Sequence, residues 1–231
     1  MKKIVITQSN YIPWKGYFDS IRLADEFVLY DDMQFTRRDW RNRNQIKTAQ
    51  GVQWLTIPVE VKGKYHQKIN ETNISDTRWA EKHWKTISMN YKKAQHFEEM
   101  KYFVEHLYLG AKSTNLSEIN HWFLKEITKW MNIQTRFTFS SDYKLEEDRT
   151  DRLVSICKQL GGTDYYTGPA AKAYLEEEKF ARENIKVCYL DYDGYPEYRQ
   201  LHGQFNHGVT ILDLLFNTGS AFCNYMKSFK R

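Results

Sequence analysis

Residues 4–17 run Ile-Val-Ile-Thr-Gln-Ser-Asn-Tyr-Ile-Pro-Trp-Lys-Gly-Tyr, and a helical stretch over 17–24 then leads into Glu26-Phe27-Val28-Leu29-Tyr30. A short apolar run, a Ser9-Asn10 turn signal, a helix and a second apolar run follow the order of a βαβ unit. Two parallel strands require such a crossover. In an open α/β sheet ligands bind beyond the carboxyl ends of the strands. Those ends are residues 8–16 and 31–35, so both loops are expected on one rim.

The segment that follows, 34–48, sets five cations (Arg37, Arg38, Arg41, Arg43, Lys47) against one acid, Asp39, with Phe35, Trp40 and several amides between them. Arginine forks suit phosphate or carboxylate, and Asn42, Asn44 and Gln45 add uncharged donors and acceptors. The segment reads as a basic loop for an anionic ligand or as a solvated surface run. A third strand is expected over 53–61, with Pro58 marking an edge or bulge.

From 76 to 132 the spacing turns helical, with Trp79, His83, Ile87 and Tyr91 on one face, then Met100, Val104 and Leu107, then Ile119, Phe123 and Ile127. Three helices are expected, the first opened by Asp76 and the third by Asn115, with the second broken over 110–114. Strand and helix alternate again afterwards: strand 135–140, helix 150–160, strand 164–167, helix 171–184 and strand 186–191. Thr210 is placed to cap a last short helix over 211–216. The expected fold is α/β, a parallel-sheet βαβ core of Rossmann-like type with a helical lobe. Its parts are residues 1–75, 76–132 and 133–231, integrated into one unit.

The 231 residues carry a formal charge of +5 and include 16 Tyr, 13 Phe and 7 Trp, so hydroxyl and indole groups will border any cleft. The charge is mild and lacks a long Lys/Arg tail, so nucleic acid is not indicated. Cys157, Cys188 and Cys223 are odd in number and lack ligand spacing, which argues against a disulfide framework or a zinc site. No stretch offers the ~20 apolar residues of a membrane span. These features lead us to expect a soluble, cytoplasmic protein without a metal.

Candidate chemistry is sparse. Of Asp31 and Asp32, which point to opposite faces of an extended chain, Asp31 fits the buried alternation and is the candidate base or hydroxyl ligand. His83 shares a face with Trp79, Ile87 and Tyr91 and reads either as a base or as a satisfied interior histidine. His202 and His207 flank one loop without a carboxylate at metal-ligand spacing. Neither a nucleophile elbow nor a Walker loop occurs.

At the first loop the chain resembles, weakly, nucleotidylyltransferases of the HIGH superfamily. Their HxGH positions read Trp14-Lys15-Gly16-Tyr17 here, without either histidine. A closer resemblance is carried by Gln8-Ser9-Asn10-Tyr11-Ile12-Pro13-Trp14, by Asp31-Asp32-Met33-Gln34-Phe35, by Trp40-Arg41-Asn42-Arg43-Asn44-Gln45-Ile46-Lys47, and by Tyr165-Tyr166-Thr167-Gly168 and Ile211-Leu212-Asp213-Leu214-Leu215-Phe216-Asn217. These make the chain similar to WbqC-like proteins over nearly its full length, with Ser9, Gln95 and His207 where that family shows proline. The resemblance implies a bacterial protein connected with O-antigen and other polysaccharide loci.

Joined to the residue reading, this leads to an enzyme that modifies a nucleotide-linked sugar by acyl or aminoacyl transfer to an amino sugar. Asp31 and His83 are the candidate catalytic groups. Gln8, Tyr11, Trp14, Gln34, Arg41, Asn42, Arg43 and Tyr91 are the candidate substrate contacts. Acyl-coenzyme A, an acyl phosphate or a charged tRNA is the candidate donor. The alternatives are a non-catalytic sugar- or nucleotide-binding module and a nucleotidylyl transferase with replaced histidines.

Overall fold

The computed structural model describes residues 1–229. Five parallel strands, β1 (Lys3–Thr7), β2 (Glu26–Leu29), β5 (Arg136–Phe139), β6 (Asp164–Thr167) and β7 (Lys186–Tyr189), lie in the order β5-β2-β1-β6-β7. The chain therefore builds outward from β1 on one side and then returns to build outward on the other. Strand β1 pairs with β2 through Ile4–Glu26 and Val5–Phe27, and with β6 through Ile4–Tyr165 and Val5–Tyr166.

Period-two alternation sorts the central strands between two cores, since successive strand side chains point to opposite faces. Val5, Phe27 and Leu29 join one apolar cluster, while Ile4, Ile6, Val28 and Tyr30 join the other. Helices α5 (Arg149–Gln159) and α6 (Glu177–Arg182) cover the second face with Leu153, Ile156 and Phe180. The first face takes α1 (Lys15–Leu23) and the three helices α2 (Trp79–Tyr91), α3 (Phe97–Gly110) and α4 (Leu116–Trp130), together with α7 (Ile211–Thr218). Burial on both sides accounts for the unbroken apolar runs of β1 and β2. Capping follows the sequence: Asn115 accepts from the Glu118 amide, Thr210 from Leu212, and Asp148 from Thr150 and Asp151. Asp76 accepts from the Arg78 amide just ahead of α2.

Three expectations need correction. The basic segment is not a loop throughout, because Arg43–Thr48 forms β3, paired antiparallel with β4 (Gly51–Thr56) in a hairpin outside the main sheet. Its inward positions include Asn44 as well as Ile46, so the alternation lacks apolar contrast. The strand expected over 53–61 is this β4, which ends before Pro58. The helix expected over 171–184 is a 3-10 turn, Pro169–Ala173, followed by the short α6, with Tyr174 outside helical geometry at φ −143° between them. Among the described residues no helix is long and apolar enough to cross a membrane, and no cluster of His, Cys, Asp and Glu is arranged to hold a metal ion.

Candidate functional site

The loop between β1 and α1 is held by four separate segments. Its Ser9 amide donates to Asp31 Oδ1 at 2.8 Å. Tyr11 N donates to the Trp40 carbonyl at 3.0 Å, and Ile211 N donates to the Pro13 carbonyl at 2.9 Å. From β3, the Asn44 amide nitrogen donates to the Tyr11 and Ile12 carbonyls at 3.0 and 2.9 Å. Between those contacts Ile12 sits at φ +36°. A β-branched residue rarely adopts that region, so the surrounding bonds must over-determine it.

The clamped loop delivers Asn10, Pro13 and Trp14 to a cavity of about 350 Å3, completed by Trp40, Asn44, His207 and Gly208. Gly16 makes room for this arrangement, because a Cβ there would collide with the Trp14 indole. At the mouth Trp40 is 41% exposed and packs at 5.2 Å, tilted, on Trp54, itself 38% exposed. Arg43 lies 4.0 Å over the Trp54 ring. Arg41 stands behind the wall, hydrogen-bonded to Asn10 Oδ1 and 3.7 Å from Asp39. His207 is exposed, and its ring packs edge-on at 4.5 Å against Phe205. Partial burial and the neighbouring Lys15 charge lower its pKa, so the imidazole is neutral at pH 7. Apolar walls with a few convergent polar groups are the usual form of a small-molecule site.

Asp31 is only 2% exposed, and both of its oxygens are taken, one by the Ser9 amide and one by the Ser117 hydroxyl. Burial raises its pKa against those hydrogen bonds. Asn120 completes the support by donating to Ser9 Oγ and the Arg41 carbonyl, both at 2.9 Å. His83 is also interior. Burial pushes its pKa down to about 4, so it is neutral. The Tyr11 hydroxyl lies 2.9 Å from His83 Nδ1, and Nε2 lies 3.2 Å from the Thr56 carbonyl. Since that carbonyl only accepts, Nε2 carries the proton and Nδ1 accepts from Tyr11. Tyr11 in turn accepts from Tyr108 at 2.8 Å.

The other expected contacts separate in space. Tyr91 is fully buried, donating to Asp213 at 2.8 Å and accepting from the Lys47 amide. Asn42 ties the hairpin to the Ile57 carbonyl at 2.8 Å. Gln34 donates to the Tyr65 carbonyl and borders a different hollow with Arg37 and Lys64. Gln8 turns toward another cavity between β1 and β6. Of the ten expected residues Trp14 alone lines the Trp-walled cavity, with Arg41 and Arg43 around it.

Sequence reasoning missed Asn10, Trp40, Asn44 and His207 as wall residues, although Asn10, Trp40 and Asn44 stand inside motifs it singled out. It also missed the setting of Lys15. That amine is buried among the rings of Tyr195, Tyr198 and Phe205 and donates to the Pro196 carbonyl at 2.6 Å. Burial lowers its pKa to about 8 despite Asp19 and Glu197 nearby. Lys15 occupies the second position of the Trp14-Lys15-Gly16-Tyr17 segment, so that position turns into an aromatic box.

Comparison with known proteins agrees with the closer of the two resemblances. The profile of the WbqC-like protein family matches residues 8–225. The chain is 50% identical over 227 residues to an uncharacterized protein of Mycobacterium tuberculosis, Rv1507c, covering 98% of each chain. No solved structure gives a significant match.

Proposed function

We propose that this chain, which belongs to the WbqC-like protein family, is a transferase of surface-polysaccharide sugar biosynthesis acting in the cytoplasm on a nucleotide-linked amino sugar. The observation that carries the reading is the Trp-walled cavity. Trp14 and Trp40 offer faces for a base or sugar ring, and Asn10 and Asn44 offer amide groups for hydroxyls. In the reaction the sugar amine attacks the carbonyl carbon of an acyl or aminoacyl donor. A C–N bond forms, the bond to the leaving group breaks with its electron pair, and the nitrogen loses a proton.

His207 is the group at the cavity suited to accept that proton, because it is neutral, exposed and makes no hydrogen bond among the described residues. Asp31 and His83 act from inside, Asp31 by fixing Ser9 and His83 by fixing Tyr11, and are positioning residues in this scheme. Arg41 and Arg43 place positive charge at the cavity, beside the phosphates of the donor.

The test is thermal stabilisation against TDP-, UDP- and GDP-sugars, acyl-coenzyme A, ATP and bulk tRNA, since a ligand that binds only the folded state raises apparent stability by mass action. Stabilisation by one class of sugar nucleotide, followed by a donor-dependent mass increase of that sugar, supports the transferase. Silence with every sugar nucleotide refutes it. The saturation of both Asp31 and His83 favours one other reading, a non-catalytic binding module. In that case His207→Ala leaves binding intact and there is no turnover for it to abolish.

A further inference from the structure

The order β5-β2-β1-β6-β7 reverses direction between β1 and β6, and it is there that open α/β sheets leave a crevice. In this chain the crevice is a cavity of about 290 Å3 beyond the ends of both strands. The Trp-walled site does not use it. Three of its wall residues carry polar groups with nothing to bond. Gln8 presents a side-chain amide that makes no hydrogen bond among the described residues. Tyr30 is 8% exposed, and its hydroxyl has no hydrogen-bond partner among them either. Arg149 forms no salt bridge among them and is held flat, with its guanidinium carbon 3.5 Å from the centroid of the Tyr174 ring.

Two arginines stand at this side of the cavity. Arg149 and Arg152 both lie close enough to act on the Tyr30 hydroxyl oxygen, and Arg152, which donates to the Glu146 and Glu147 carbonyls and meets no carboxylate, leaves the Tyr30 O–H itself without an acceptor among the described residues. The nearby acids already have cationic partners, Asp148, Asp151 and Glu176 sharing the one Lys179. Asp148 and Asp151 both reach Lys179, and Asp32 pairs with Lys68 at 3.6 Å and accepts from Ser140. Asp148 also occupies the first amides of α5, so the arginine fork, rather than the helix end, is what the cavity offers to an anion.

One aromatic side chain, Tyr192, meets a wall residue of each cavity. Tyr192 packs on Trp14 at 5.4 Å, and its hydroxyl stands 3.8 Å from where a side chain on Gly168 would begin. A ligand with a ring at one end and an anion at the other would span the two sides of Tyr192.

We propose that the cavity between β1 and β6 is the diphosphate subsite for the sugar nucleotide, with Arg149 as its fork, Tyr30 as a hydroxyl donor and Gln8 as a neutral donor. This rests on the sugar-nucleotide reading above and identifies where its phosphates sit. A buried, unpaired hydroxyl costs free energy until a ligand oxygen accepts from it, which is the physical reason to expect an acceptor there.

The test is isothermal titration with inorganic pyrophosphate, and separately with the sugar nucleotide that stabilises the protein, on the wild type and on Arg149→Gln, Tyr30→Phe and Trp40→Ala. Pyrophosphate affinity is expected to fall about tenfold or more in Arg149→Gln, to fall by a smaller factor in Tyr30→Phe, and to stay unchanged in Trp40→Ala. Equal pyrophosphate affinity in Arg149→Gln and wild type overturns the assignment, as does a wild type that does not bind pyrophosphate. If Trp40→Ala leaves sugar-nucleotide affinity untouched while Arg149→Gln loses pyrophosphate, the Trp-walled reading fails and the anion subsite stands. Phenylglyoxal labelling of the wild-type protein needs no variant. Pyrophosphate should shield Arg149, and labelling of Arg149 at the same rate with and without it refutes the proposal.

Discussion

Asn44 is the residue whose replacement tests how the Trp-walled cavity is built. Its amide nitrogen donates to two successive carbonyls of the strained loop, and its Oδ1 accepts from the Gln45 amide at 2.7 Å. Asn44→Asp keeps the shape and the acceptor but turns an oxygen toward both carbonyls. Two buried acceptors lose their donor, at about 1–3 kcal/mol each. Release of Ile12 from φ +36° returns part of this, about 1–3 kcal/mol. The expected net loss is about 1–3 kcal/mol at pH 7, read by urea unfolding.

The pH dependence gives a second reading of the same variant. A carboxyl facing two carbonyls in a buried site has its folded pKa raised, so it is protonated in both states below its unfolded value of about 3.9. There it donates to one carbonyl, and the penalty shrinks. The penalty grows as pH rises through the unfolded pKa and is full above the folded one. Amide exchange in residues 8–14 should quicken in parallel. An Asn44→Asp protein within about 0.5 kcal/mol of wild type at pH 7, with the loop amides as protected as before, would refute the clamp.

Three further outcomes follow from other residues. Because burial holds the His83 pKa near 4, below its unfolded value of about 6.5, the neutral ring contributes stability that is complete above about pH 6.5 and is lost as pH falls toward 4. His83→Gln should remove up to about 3 kcal/mol of that slope, and the wild-type minus variant difference in urea titrations isolates it from Asp31 and Asp213, whose raised pKa values act with opposite sign. Gly16→Ala should drive the Trp14 indole out of its place, lowering stability by about 1–3 kcal/mol and changing Trp fluorescence. An unshifted spectrum with unchanged stability would count against the packing. Cys157 is buried, with its thiol pushed up to about 12, so iodoacetamide should label Cys188 and Cys223 in the native protein while leaving Cys157 unmodified until denaturant is added, as peptide mass spectrometry would show.

Much of the fold was legible because the apolar pattern alone carries it. Ile4-Val5-Ile6 and Phe27-Val28-Leu29 are apolar on both faces, which is what a central parallel strand requires. The spacing of Trp79, His83, Ile87 and Tyr91 gave away α2, including the histidine's inward side. Strand β3 was not legible, since a strand that buries Asn44 shows no apolar alternation. The long helix expected over 171–184 failed for the opposite reason, because good helix-forming residues follow a turn whose backbone is set elsewhere.

The candidate site divides along the same line. By itself the sequence determined which loops share a rim, because a βαβ crossover makes β1 and β2 parallel and so puts their carboxyl ends on one edge. It also put Trp14 and the arginines of 34–48 near that rim. Only the tertiary structure decided which polar side chains face a cavity and which serve as struts. Asp31, His83, Asn42 and Tyr91 carry reactive or hydrogen-bonding groups, yet each is tied to a partner from another segment: Asp31 to residue 117, His83 to 11 and 56, the Asn42 amide nitrogen to 57, and Tyr91 to 213. A side chain's polarity states that it needs a partner and leaves open where the partner is. That choice belongs to contacts between residues far apart in the chain, as does the meeting of Asn10, Trp40, Asn44 and His207 around one cavity.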